Sequence, residues 1–93
     1  MDQQELIDHL KKATGASRLY EVRTFRAHRS RPNGDHQDLT IEIWDAGPAS
    51  GDTRWIVEAR DSNRKDGPVA MCNPAGSLAG AITTTHWQHL DAE

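Results

Sequence analysis

The sequence predicts an α+β domain, an antiparallel sheet of three or four strands with two helices on one face. Three observations carry that expectation. Between Asp38 and Asp61 two alternating apolar–polar stretches flank a turn-rich loop, the pattern of a half-buried hairpin. A third alternating stretch, Arg18 to Arg29, precedes them. Apolar residues at helical spacing lie near each end of the chain.

Taken in order, Asp2-Gln3-Gln4-Glu5 has capping-box spacing with an acid at the cap. Leu6, Ile7, Leu10 and Ala13 then share one helical face. Lys11 and Lys12 sit at the negative end of the helix dipole, and Gly15 is a natural stop. A helix over Gln3 to Thr14 follows, with His9 on its solvated side. In the strand Arg18 to Arg29, Tyr20, Val22 and Thr24 are expected inward, because the opposite choice would put Glu21 and Arg23 in the core. That choice sends Phe25 outward. Pro32 and Asn33-Gly34 make Ser30 to Gln37 a turn.

The central hairpin places Leu39, Ile41, Ile43, Trp55, Val57 and Ala59 on the core face, since a one-residue slip would invert a whole strand. Thr40, Glu42, Trp44, Ile56, Glu58 and Arg60 form the other face. Gly47-Pro48 and Ser50-Gly51-Asp52 lie in the loop between. Val69 to Cys72 reads as a brief fourth strand, and Pro68 before it suits an edge. A second helix opens at Asn73-Pro74 or at Ser77, with Leu78, Ile82, His86 and Leu90 inward and Trp87 on the flank. Gly80 and Thr83-Thr84-Thr85 are poor helix formers, so packing must hold it.

Ninety-three residues without repeats or an internal linker make one domain, 1–93. A chain this short buries roughly two-thirds of its unfolded surface. With 35% hydrophobic residues and a mean hydropathy of −0.78, its core is modest and self-association is a natural supplement. The lone Cys72 excludes an internal disulfide. With no export signal or membrane-length apolar run, a cytoplasmic location is expected.

Net charge is −3 but unevenly spread. Ser17 to Arg31 carries five arginines and one acid, whereas Pro32 to Thr53 carries five acids and no Lys or Arg. Neighbouring strands of opposite charge are expected to pair across the sheet; a phosphate-facing arginine stripe is the alternative.

The order helix, three strands, helix resembles the double-stranded-RNA-binding domain over nearly the whole chain, and Gly34-Asp35-His36 stands where that family has a Gly-Pro-x-His loop. The resemblance implies that fold and, through Arg23, Arg26, Arg29, Arg31 and His36, an RNA-binding alternative. Where that family opens its second helix with phosphate-gripping lysines, this chain reads Asn73-Pro74-Ala75-Gly76-Ser77, with no base. RNA is therefore not the favoured partner. With Glu58-Ala59-Arg60-Asp61 ending a strand, then Asn73-Pro74-Ala75-Gly76-Ser77-Leu78 and a helix continuing to His86-Trp87, the C-terminal half also resembles small bacterial proteins of actinobacterial type. Ser77 to Ile82 is similar to the helix start of HicB-type antitoxins, which implies an antitoxin-like regulator.

No nucleophile elbow, glycine-rich phosphate loop or metal motif occurs, so neither an enzyme nor a cofactor is expected. Cys72, His86 and His89 are the one trio weighed for zinc, and ordinary packing roles are favoured for each. Two helices can cover only one sheet face. The open face should then carry Phe25, Trp44 and Ile56 as anchors, with Arg23, Arg60, Glu42 and Glu58 setting register, for a homodimer or another protein partner.

Overall fold

A computed structural model describes residues 1–91. Its order is α1 (Gln3–Thr14), β1 (Glu21–Ser30), β2 (His36–Asp45), a 3₁₀ segment (Pro48–Thr53), β3 (Trp55–Asp61), β4 (Val69–Met71), α2 (Leu78–Thr84) and a 3₁₀ turn (Trp87–Asp91). The four strands form one antiparallel sheet in the order β1-β2-β3-β4. The α+β class is as expected. No helix is long and apolar enough to cross a membrane.

Helix α1 has the predicted bounds because its ends are satisfied locally. The Asp2 carboxylate accepts the Glu5 N–H at 2.8 Å, and Gly15 at φ 71° donates its N–H to the Lys11 carbonyl. The turn between β1 and β2 closes as Asn33-Gly34 predicts. Gly34 takes φ 93°, and Asn33 Oδ1 accepts the Asp35 N–H at 2.9 Å.

The central hairpin has the expected register, Ile41 opposite Ala59, Ile43 opposite Val57 and Trp44 opposite Ile56. Its inner face meets the C-terminal segment in two small apolar clusters. Leu39, Ala59, Ala70 and Leu90 form one, and Val57, Cys72 and Ala81 the other. Trp87 packs against both, sealing the segment to the sheet. Cys72 extends the β4 pairing by donating its N–H to the Val57 carbonyl at 3.2 Å.

Three expectations need correction. The second helix stops at Thr84, because the hydroxyls of Thr83, Thr84 and Thr85 turn back onto carbonyls four residues earlier and Thr85 is extended. Leu90 therefore reaches the core from a 3₁₀ turn, while Ile82 and His86 are exposed. Helix α1 does not lie beside α2 on the sheet. It is tied to one end of it: Gln3 bonds Asp45 and Arg54, Gln4 accepts the Ala49 N–H, and Ile7 is buried against Gly47.

The third correction concerns β1. Its partners are Val22–Trp44, Thr24–Glu42, Phe25–Ile41 and Arg23–Ile43. Val22 and Thr24 thus belong to the open face, and Phe25 and Arg23 to the core face. The inward rule failed because the first six residues of β1, Glu21 to Arg26, lie beyond the cover of the C-terminal segment, which Ala27 and Arg29 reach. Eight of its ten residues are exposed, so Glu21 and Arg23 sit on the core side without being buried.

Candidate functional site

The open face is built by alternation along β1, β2 and β3. Val22, Thr24, Arg26 and His28 stand beside His36, Asp38, Thr40, Glu42 and Trp44, with Ile56, Glu58 and Arg60 beyond. Of the predicted anchors, Trp44 and Ile56 are neighbours there, whereas Phe25 and Arg23 are on the opposite face. Trp44 is half-buried, edge-on to Tyr20 with ring centroids 5.5 Å apart. Its indole N–H has no hydrogen-bond partner among the described residues. Ile56 lines a cleft of about 300 Å³ with Tyr20, Lys11 and Arg18. The aromatic end of the face is thus partly closed by the link from α1 to β1. Glu42 and Glu58 face each other, and Glu58 pairs with Arg60.

The arginines do not make a single stripe. Arg26 points to the open face, while Arg23 and Arg29 belong to the other. None faces an acid directly in β2; their opposite residues are Ile43, Thr40 and Gln37, so the expected cross-strand charge pairing is not the one formed. Instead Arg29 reaches Asp91 at 2.6 Å, and Arg31 donates to the Asp91 carbonyl at 2.9 Å. Between them Gln37, fully buried, donates to Asp61 and to the Leu90 carbonyl and accepts from Arg29 Nε. The Gln37 hydrogen bond, against the effect of burial, holds Asp61 below the usual carboxylate range.

A second polar hub closes the α1 end. Burial pushes the Asp45 carboxyl up, but bonds from Arg54, Gln3 and the Gly47 N–H, with the Arg54 charge, outweigh it and leave Asp45 below its ordinary value.

At the turn end of the open face lies a cluster that the sequence reading did not assemble. His28 stands directly opposite Asp38 in β1 and β2, and His36 is two residues before Asp38 on the same face. His28 Nδ1 is 2.5 Å and His36 Nε2 is 2.7 Å from the same oxygen, Asp38 Oδ1, and the imidazoles stack with centroids 6.0 Å apart. Asn63 donates to the other oxygen at 3.3 Å. Bonds from His28, Asn63 and His36 hold the Asp38 carboxyl down at about 2. The resemblance to the double-stranded-RNA-binding domain puts His36 in a nucleic-acid loop; in the structure it is turned to Asp38. The signal in sequence was His-x-Asp at strand spacing, with a histidine ten residues before Asp38, and it needed the hairpin register to be legible.

The trio Cys72, His86 and His89 is not brought together. Cys72 is buried, with its Sγ accepting the Val57 N–H at 3.2 Å, while His86 and His89 stack on each other at the surface. Among the described residues, only His28, His36 and Asp38 converge as metal-type donors. Comparison with known protein families, characterised proteins and solved structures finds no match to this chain.

Proposed function

We propose that this chain is a non-enzymatic interaction domain of the bacterial cytoplasm that pairs with a second copy of itself along β1. The observation that carries the reading is the exposure of that strand. Ten residues long, it has β2 on one side and no described strand on the other, and eight of its residues are exposed. An edge of this kind presents a row of unpaired N–H and C=O groups, a ready template for another strand. Val22 and Phe25, 40% and 50% exposed, add apolar area on the two faces. The lone, buried Cys72 suits a reducing compartment.

Charge selects the register. An antiparallel pair about a twofold axis places each residue opposite its mirror position about a central one. Centred on Phe25, Glu21 faces Arg29 of the second copy, Arg23 faces Ala27 and Thr24 faces Arg26. Centres on Arg23 or Arg26 set like charges face to face. Among centres from Arg23 to His28, only Phe25 gives Glu21 an arginine of β1; a centre on Arg26 would bring Arg31, beyond the strand, opposite Glu21 but sets Arg23 against Arg29. The paired Phe25 rings would extend the core face past Ala27 and Ile41, the partly buried residues at its margin.

This edge is favoured over the Trp44 face because Trp44 is already half-shielded by Tyr20. RNA is disfavoured because the arginines of β1 do not form one stripe: Arg26 is on the open face and Arg23 and Arg29 are on the other. Phe25→Cys tests the register. Opposed residues of an antiparallel pair have Cα atoms about 4.5–5.5 Å apart, within disulfide reach. Mild oxidation should link Phe25→Cys into a dimer but not Ala27→Cys, which would face Arg23. A wild type that is monomeric by light scattering at all concentrations, or a salt-sensitive gel shift with RNA in its place, overturns the reading.

A further inference from the structure

We propose that His28, His36 and Asp38 form a binding site for a borderline divalent cation such as Zn²⁺, on the open face of the β1–β2 hairpin. The donor set is the first support. Two imidazoles and one carboxylate suit zinc and the later first-row metals rather than Ca²⁺ or Mg²⁺, which take oxygen ligands.

Geometry is the second. His28 Nδ1, His36 Nε2 and a carboxylate oxygen of Asp38 all lie within 4.8 Å of one another. Ligand atoms around a tetrahedral zinc, at metal distances near 2.0–2.2 Å, are about 3.4 Å apart. The two imidazoles are exposed and Asp38 is half-buried, so small side-chain rotations bring the donors to that spacing without moving the backbone. A regular hairpin supplies the frame. Cross-strand opposition gives His28 to Asp38, and strand alternation gives His36 to Asp38.

The outer contacts agree. Asn63, just past the end of β3, donates to Asp38 Oδ2. This leaves Oδ1, the oxygen both histidines already address, as the metal-facing atom. Three protein ligands leave one tetrahedral position for water or for a donor from another molecule. The metal would replace the two His–Asp hydrogen bonds with coordinate bonds to the same nitrogens, so no new side chain has to be recruited.

All three donors come from one chain and project from the open face, whereas the Phe25–Phe25 and Glu21–Arg29 contacts lie on the other; in that register His28 faces Val22 of the second copy, so the site borders the edge pairing without taking a ligand from it. The competing surface pair is His86 and His89, whose rings stack 5.3 Å apart, and it provides the control.

Isothermal titration of the metal-free protein with ZnCl₂ should give one site per chain, and Co²⁺ should give visible d–d bands of a four- or five-coordinate complex. His36→Ala and Asp38→Asn should each weaken Zn²⁺ binding at least tenfold, with circular dichroism unchanged. His86→Ala with His89→Ala should leave it as in the wild type. Imidazole NMR signals of His28 and His36, and not those of His86 and His89, should shift on addition of Zn²⁺. No saturable heat with the wild type would overturn the proposal, as would binding that survives His36→Ala and is lost with His86 and His89. Neither result depends on whether the protein dimerises.

Discussion

Asp45 shows how much of this small protein rests on single polar groups. Its carboxylate is buried and ties the first turn of α1, the Gly47 corner and Arg54 together. Asp45→Asn should lower stability by about 2 kcal/mol, since the buried hydrogen bonds to a charged acceptor are weakened together. The sign with pH follows from the depressed carboxyl. Stability from ionised Asp45 is complete above the unfolded-state value of about 3.9 and is lost as pH falls through the lower folded-state value. Urea midpoints of wild type and Asp45→Asn, measured from pH 7 downward, should therefore converge below about pH 4. Gly47 completes the corner. At φ 95° it leaves no room for a side chain, because a Cβ would lie 2.7 Å from Ile7 Cδ1. Its turn role was legible from Gly47-Pro48; its contact with α1 was not, because nothing local indicates which helix will approach.

Strand β2 and the C-terminal turn form the element pair on which the core depends. Leu90 is held down by a backbone contact as well as by packing, through Gln37 Nε2. The same amide bonds Asp61 in β3 and, through its oxygen, Arg29 in β1. Gln37→Leu should cost about 2 kcal/mol, leaving the Asp61 carboxylate and the Leu90 carbonyl without the donor they share. Thermal unfolding with guanidinium titration should show this as a lower midpoint with an unchanged slope. Gln37 lies on the core face of a strand whose apolar pattern was read correctly. Its role was not legible because Ser30 to Gln37 reads as a turn, whereas β2 already begins at His36. The short α2 is the converse case. Ser77 was among the starts the sequence offered and is the cap observed, its hydroxyl oxygen accepting the Gly80 N–H at 3.0 Å. Its early end came from three threonines whose hydroxyls compete for helix carbonyls, a tendency visible in the sequence.

For the molecule as a whole, an elongated form of 47 × 23 × 20 Å has β1 as an edge strand whose first six residues lie away from the C-terminal cover. If a second copy pairs there, stability is linked to association, and the midpoint of thermal unfolding should rise with protein concentration. Phe25→Glu, which places two acids at the twofold axis, should remove that dependence and leave far-UV circular dichroism intact.

Local signals along the chain were enough for the α+β class, the bounds of α1, the turn at Asn33-Gly34 and the partition of the central hairpin into two faces. Each depends on local propensity, or on alternation in strands with one buried side. Tertiary structure alone decided which way β1 faces, where α1 docks, and that His28 meets His36 and Asp38. A strand wet on both sides has no burial pattern to declare its parity, and a cross-strand meeting exists only once the hairpin has closed in register.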